Sequence, residues 1–221
     1  MPNSKFYQLI SALFVTCLII SNIIAVKIGS FGGYFLPVAV ILFPITYIIG
    51  DVLTEVYGFA AARRVIWIGF FCNLLAVIAI WIGIKITPAP FFQNQSAFET
   101  ILGFTPRLLV ASFVAYLVGQ FANSLVLAKM KVKTQGKYLW MRTIGSTIVG
   151  EGLDSVIFIT LAFTGVMPGT VVGSLIVTQW IFKVLFETVL TPVTYLVVGY
   201  LKKTEKIDVY DSETSFNPIK M

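Results

Sequence analysis

The sequence predicts an all-α membrane protein, a single bundle of six transmembrane helices, and three observations carry that prediction. Hydrophobic residues fill 57% of the 221 positions, and charged residues only 12%, about half the share in a soluble domain. Mean hydropathy is +0.90. A soluble fold of this length cannot hide so much apolar surface, whereas a bilayer accepts it as a solvent would. The third observation is spacing: apolar runs of the roughly 20 residues that span a bilayer alternate with short polar or Gly/Pro-bearing links.

The first run covers 6–26. It is too long for the apolar centre of a cleavable signal peptide and lacks a small-x-small cleavage site before a soluble domain, so it reads as a span. A turn-rich link with Gly29, Gly32 and Gly33 follows. The second span is 36–57, with a polar end, and the third, 65–86, is the most uniformly apolar. Pro88 and Pro90 break the pattern, and 96–103 reads as a short helix on the membrane surface. The fourth span is 108–129, followed by a basic loop over 129–137, and the fifth is 139–164. Pro168 and Gly169 make a tight connection to the sixth, 170–201. That run is long enough to tilt or project beyond the bilayer, and Pro192 is placed to kink it. The spans form one domain, 1–203, with no internal repeat. The remaining 204–221 reads as a polar, mobile cytoplasmic tail.

The net charge of +6 sits in short loops between apolar runs, which indicates topology and contact with anionic lipid rather than nucleic-acid binding. Six spans put both termini on one side. That side takes Lys5, Arg63, Arg64, Lys129, Lys131, Lys133, Lys137, Arg142, Lys202, Lys203, Lys206 and Lys220, against Lys27, Lys85 and Arg107 on the other. The bias places both termini in the cytoplasm of a cell with an inner membrane. Cys17 and Cys72 lie inside apolar runs and read as packing residues rather than a disulfide. The chain has no histidine, which removes most zinc sites, the usual general base and the serine triad. It also has no phosphate loop of glycines with Lys and Ser/Thr, so ATPase activity of its own is disfavoured. No metal, cofactor or catalytic residue is expected. An intramembrane enzyme built on Asp51 with Glu55, or on Glu151 with Asp154, is the rival class. Aspartyl dyads normally join acids from two helices, which disfavours it.

The functional signal is polar chemistry inside the spans, where a charge at the bilayer centre costs at least about 2.5 kcal/mol. Thr147, Glu151 and Asp154 share one face of the fifth span, and Gln179, Lys183 and Glu187 one face of the sixth. Gln120, Asn123 and Ser124 do so on the fourth. Glu151, Lys183 and the fourth-span group fall near mid-membrane by residue counting. Asp51, Thr54 and Glu55 lie toward the cytoplasmic end of the second span, and Ser21 and Asn22 toward the outer end of the first. Structural readings stand beside the functional one: an internal salt bridge for Lys183 with Glu187, hydrogen-bond glue for Gln120 and Asn123, a solvated helix end for Asp51 and Glu55. Glu151 beside Asp154 is hardest to explain structurally, because two acids on one buried face repel. Together the groups predict a cavity for a ligand rich in N–H donors. A purine-like edge suits a carboxylate, which accepts two parallel bonds, and aromatic residues are plentiful enough to stack on a flat ring.

These residues also carry a resemblance. The stretch FPITYIIGDVLTEVYG at 43–58 resembles the hallmark of the VUT family, the queuosine precursor transporters. SNIIAVKI at 21–28, GQFANSLVL at 119–127, RTIGSTIVGEGLDSVIF at 142–158 and KVLFETVLTPVTY at 183–195 support it, in the family's order. The resemblance implies a bundle similar to the substrate-binding subunits of energy-coupling-factor vitamin transporters. It also implies a substrate such as 7-cyano-7-deazaguanine or 7-aminomethyl-7-deazaguanine, imported into the cytoplasm. A stand-alone carrier, a homo-oligomer and a subunit energised by a partner all stay open at this point. The substrate-binding set expected on these grounds is Glu151, Asp154, Lys183, Glu187, Gln120, Asn123, Asp51, Glu55 and Asn22.

Overall fold

The computed structural model describes residues 4–31, 34–103, 106–166 and 168–219. Gly32 and Gly33 of the turn-rich link and Lys220 of the basic set lie outside the described residues. The helices are α1 (Tyr7–Ile24), α2 (Phe43–Tyr57), α3 (Phe59–Lys85), α4 (Gln95–Leu102), α5 (Pro106–Lys133), α6 (Leu139–Phe163) and α7 (Gly169–Glu205). Among the described residues, six helical segments are long and apolar enough to cross a membrane: α1, α2 with the turn before it, α3, Gln95–Lys133 with α4 and α5, α6 and α7. The short α4 falls where the sequence places a surface helix.

The link after α1 is more ordered than its glycines suggest. It forms an antiparallel hairpin, β1 (Ile28–Phe31) against β2 (Tyr34–Pro37), with Ile28 opposite Pro37. A 3-10 turn, Val38–Ile41, leads into α2. The apolar run 36–57 is therefore divided, and Pro44 lies in the first turn of α2, where its missing N–H has no helical partner to lose. Gly58 (φ +83°) ends α2 in a conformation that only glycine adopts freely, and α3 begins at once. α3 thus starts earlier than position 65, and Arg63 in its first turns is buried under the C-terminal residues. α5 continues through much of the expected basic loop, ending at Lys133. At 37 residues, α7 measures about 55 Å along its axis, well beyond the ~30 Å hydrocarbon core.

α2 is the centre of the bundle, packed against α1, α3, α5 and α7, and every residue from 50 to 57 is buried. α5 and α6 form the most extensive helix pair. Their close crossing depends on two glycines, as small residues permit in membrane bundles. A Cβ on Gly150 would stand 2.6 Å from Asn123 Cβ, and one on Gly119 would stand 2.9 Å from Asp154 Cβ. Leu75, Val189 and Leu196 are among the large apolar side chains left on the outside, as a lipid-facing surface requires.

The start of α1 and the end of α7 meet on one side of the bundle. Ser4 Oγ (2.9 Å) and the Phe6 N–H (2.8 Å) donate to Glu205, and the Tyr57 hydroxyl donates to its other oxygen at 2.5 Å. The residues after α7, expected to be mobile, instead form a strap across the α2–α3 junction. Val209 N–H donates to Val56 O (3.2 Å), and Asp211 accepts from the Phe59 N–H (2.9 Å). Arg63 donates to the Ser215 and Asn217 carbonyls, Trp67 Nε1 donates to Pro218 O, and the Phe216 ring lies 5.2 Å from Phe59. The physical reason is local: a helix end and a helix start leave backbone groups without partners, and the strap supplies them.

Candidate functional site

The bundle centre holds a connected group of buried polar side chains from four helices. On α2, Phe43, Tyr47 and Asp51 follow at steps of four and so line one face. Opposite stand Gln120 and Asn123 of α5, Glu151 and Asp154 of α6, and Lys183 and Glu187 of α7, all buried. Lys183 Nζ pairs with Glu151 Oε2 at 2.6 Å and Asp154 Oδ2 at 2.5 Å. The same ammonium lies 4.7 Å from the Phe43 ring centroid, a cation–π contact. Asn123 Nδ2 donates to Asp51 Oδ1 at 2.6 Å. Tyr47 directs its hydroxyl at Gly119, beside Asp154, and Gln120 Oε1 lies against Gly50. Glu187 interacts electrostatically with Asp51 and Glu151.

Charge and hydrogen bonding are both out of balance here. Four carboxylates (Asp51, Glu151, Asp154, Glu187) face one ammonium. Among the described residues, Tyr47 Oη, Asp51 Oδ2, both polar atoms of Gln120, Asn123 Oδ1, Thr147 Oγ1 and both Glu187 oxygens have no hydrogen-bond partner. Buried polar atoms are nearly always paired, and an unpaired buried charge costs several kcal/mol. So many open positions around one point form a receiving surface for a polar ligand. The surface offers carboxylate acceptors, two primary amides that both donate and accept, and the faces of Phe43 and Tyr47. Lys183 already occupies one oxygen each of Glu151 and Asp154, so a donor-rich ligand competes with it there.

Two residues of the expected set lie elsewhere. Glu55, one turn from Asp51, belongs to a separate cluster at the strap side. Its Oε1 accepts from Arg142 Nη2 and Lys202 Nζ, both at 2.7 Å, with Lys131 Nζ at 3.8 Å. Lys131 also donates to Glu55 O and to Asp208, each at 2.5 Å. Arg142 further donates to the Lys137 carbonyl. Asn22 joins a third group, donating to Asn73 Oδ1 at 3.1 Å and accepting from Ser112 at 3.4 Å. Asn22 thus bonds to two neighbours, whereas Glu55 is held through Oε1 alone and its Oε2 is buried without a hydrogen-bond partner among the described residues. Phe43 and Tyr47 were not singled out from sequence, although their four-residue step to Asp51 was a usable signal.

Six spans enclosing a buried, unbalanced polar site at the junction of four of them define a multi-pass membrane transporter. Residues 37–197 match the family described as "Putative vitamin uptake transporter", and the chain belongs to that family. It is thus a transport protein and not an enzyme. It is 28% identical over 188 residues to the "Probable queuosine precursor transporter" of Bacillus subtilis (strain 168), spanning 84% of this chain and 82% of that protein. Over 121 residues, 55% of this chain, it is 26% identical to two further relatives. These are the "Probable queuosine precursor transporter" of Haemophilus influenzae, 49% covered, and the "Queuosine precursor transporter" of Escherichia coli K12, 52% covered. No solved structure matches the chain.

Proposed function

We propose that the protein imports a queuosine precursor, 7-cyano-7-deazaguanine or 7-aminomethyl-7-deazaguanine, across the inner membrane, with both termini in the cytoplasm. The relatives' names supply the substrate class. The observation that carries the reading is the open acceptor surface around Asp51, Glu151, Asp154 and Glu187. A guanine-type edge presents a ring N–H beside an amino group, and one carboxylate accepts both in parallel. On this reading Glu151 or Asp154 takes that edge, Gln120 and Asn123 serve the ring carbonyl and nitrogen, and Phe43 and Tyr47 meet the ring face. Binding at the junction of helices near mid-membrane is the common arrangement in carriers.

The test is complementation in a cell that can neither make the precursor nor import it by its own carrier. Given a low external supply, this chain should restore queuosine in tRNA. Modified tRNA that stays absent despite good expression in the membrane overturns the substrate assignment.

A further inference from the structure

Glu187 borders the open acceptor surface, but on the proposed reading Glu151 or Asp154 takes the guanine-like edge and Glu187 has no assigned part. Its surroundings are also unlike theirs. Both of its oxygens lack a partner, and its side chain is 1% exposed. Among the described residues no Lys or Arg lies within ion-pair distance of it. Lys183, one turn earlier on the same helix, is held by Glu151 and Asp154 instead.

The elements packed against this part of α7 are α6 and α2, and the charged groups they present are acids. α6 contributes Glu151, already paired with Lys183, and α2 contributes Asp51, which among the described residues accepts one hydrogen bond, from the neutral amide of Asn123. Glu55, one turn beyond Asp51 on α2, engages Arg142 and Lys202 through its Oε1, so those two cations are taken up there. A second negative charge facing Asp51 in a dry interior has nothing to balance it. Among the described residues no three His, Cys, Asp or Glu side chains form a metal-ligand group. A proton needs a single oxygen.

We propose that Glu187 is a proton-binding site and couples transport to the proton gradient. The closed bundle forms with a proton on the Glu187 carboxyl. When the site opens to the cytoplasm, the O–H bond breaks, the proton passes to water and the carboxylate is hydrated. Each inward cycle thus carries a proton with the substrate, and no oxidant or reductant takes part. The inference deepens the proposed function and rests on it for the identity of the cargo. The proton site itself can be tested without any cargo.

The test has two arms. In the first, infrared spectra of purified wild type and Glu187→Gln at neutral pH are subtracted. The expected result is a protonated-carboxyl C=O band, sensitive to deuterium exchange, present in wild type and missing from the variant. A difference spectrum that shows the loss of carboxylate bands and no protonated-carboxyl band overturns the proposal. In the second, proteoliposomes are given labelled 7-cyano-7-deazaguanine with and without an acid-outside pH gradient. Wild type should accumulate it several-fold more with the gradient, and in Glu187→Gln that ratio should fall to one. A variant that keeps the wild-type ratio, or a wild type driven by a sodium gradient at uniform pH, overturns proton coupling through Glu187. If wild type fails even to exchange internal for external deazaguanine, the cargo assignment fails, and the infrared arm still decides whether Glu187 holds a proton.

Discussion

Glu55→Gln is expected to damage the protein far more than its conservative chemistry suggests. The carboxylate oxygen Oε1 sits 2.7 Å from both Arg142 and Lys202, and 3.8 Å from Lys131. Arg142 and Lys131 are at most 1% exposed, so neither can turn to water when the negative charge is removed. Asp208, the remaining anion of the cluster, has a 40% exposed side chain and compensates weakly. Removing one partner of a buried ion pair costs about 3–5 kcal/mol. For a chain of this size 1 kcal/mol moves the melting temperature by about 2–4 °C, which gives a loss on the order of 10 °C. Thermal unfolding in detergent is the assay, with Lys202→Ala as the comparison. Lys202 has a side chain 23% exposed, so its loss should cost about 1 kcal/mol or less and only a few degrees. A second comparison pairs Glu55→Gln with Arg142→Met, which removes both charges and should recover part of the loss. A Glu55→Gln protein that melts within 2 °C of wild type would show that Glu55 is not the hub of the cluster.

Other outcomes follow from the same geometry. Glu151→Gln and Asp154→Asn, tested separately by binding of the deazaguanine to purified protein, should each weaken affinity about tenfold or more, since a buried acceptor-to-donor mismatch costs roughly 1–3 kcal/mol. Wild-type affinity in both would move the recognition carboxylate to α2. Burial raises the affinity of the Asp208 carboxyl for its proton, but hydrogen bonds from Lys131 and Lys202 outweigh burial and hold it below the ordinary range. A lowered folded value stabilises the strap above the unfolded value of about 3.9 and ceases to do so as pH falls through the folded one. Hydrogen exchange at the Val209 amide should therefore accelerate below about pH 4 in wild type, and a similar acceleration in Asp208→Asn would remove that carboxyl as the cause. For topology, a reporter joined after residue 221 should read as cytoplasmic and one placed between α3 and α4 as external. The reverse pattern would invert the orientation.

The six spans were legible because hydropathy and length need no tertiary information. The shared depth of Glu151, Asp154 and Lys183 was legible by residue counting, but their pairing was not: the sequence offered Lys183 a salt bridge with Glu187, one turn along its own helix, and the structure joins it to Glu151 and Asp154 instead. The different fates of Asp51 and Glu55 were not legible. They stand one turn apart on one helix, yet one meets the neutral Asn123 and the other meets Arg142 and Lys202. Only the packing of α5, α6 and α7 around α2 determines which neighbour each meets. Asn22 looked available because Asn73 and Ser112, its partners, lie far off in sequence. The strap was misread for a similar reason. Its polar composition indicates solvent, but Asp211 and the backbone at 209–218 serve as partners for the α2–α3 junction.

The strap also bears on the order in which the protein can be made. Glu55 enters the membrane on the second span to leave the ribosome, while Lys131, Arg142 and Lys202 emerge on the fourth, fifth and sixth. Asp208 and Asp211 follow only after the last span is complete. An unfinished chain therefore has an acid in its second span with no cation beside it, and a junction between α2 and α3 with its backbone open. Assembly of this face thus waits for the sixth span and the strap behind it, and a nascent chain cut short before them displays an unpaired intramembrane charge.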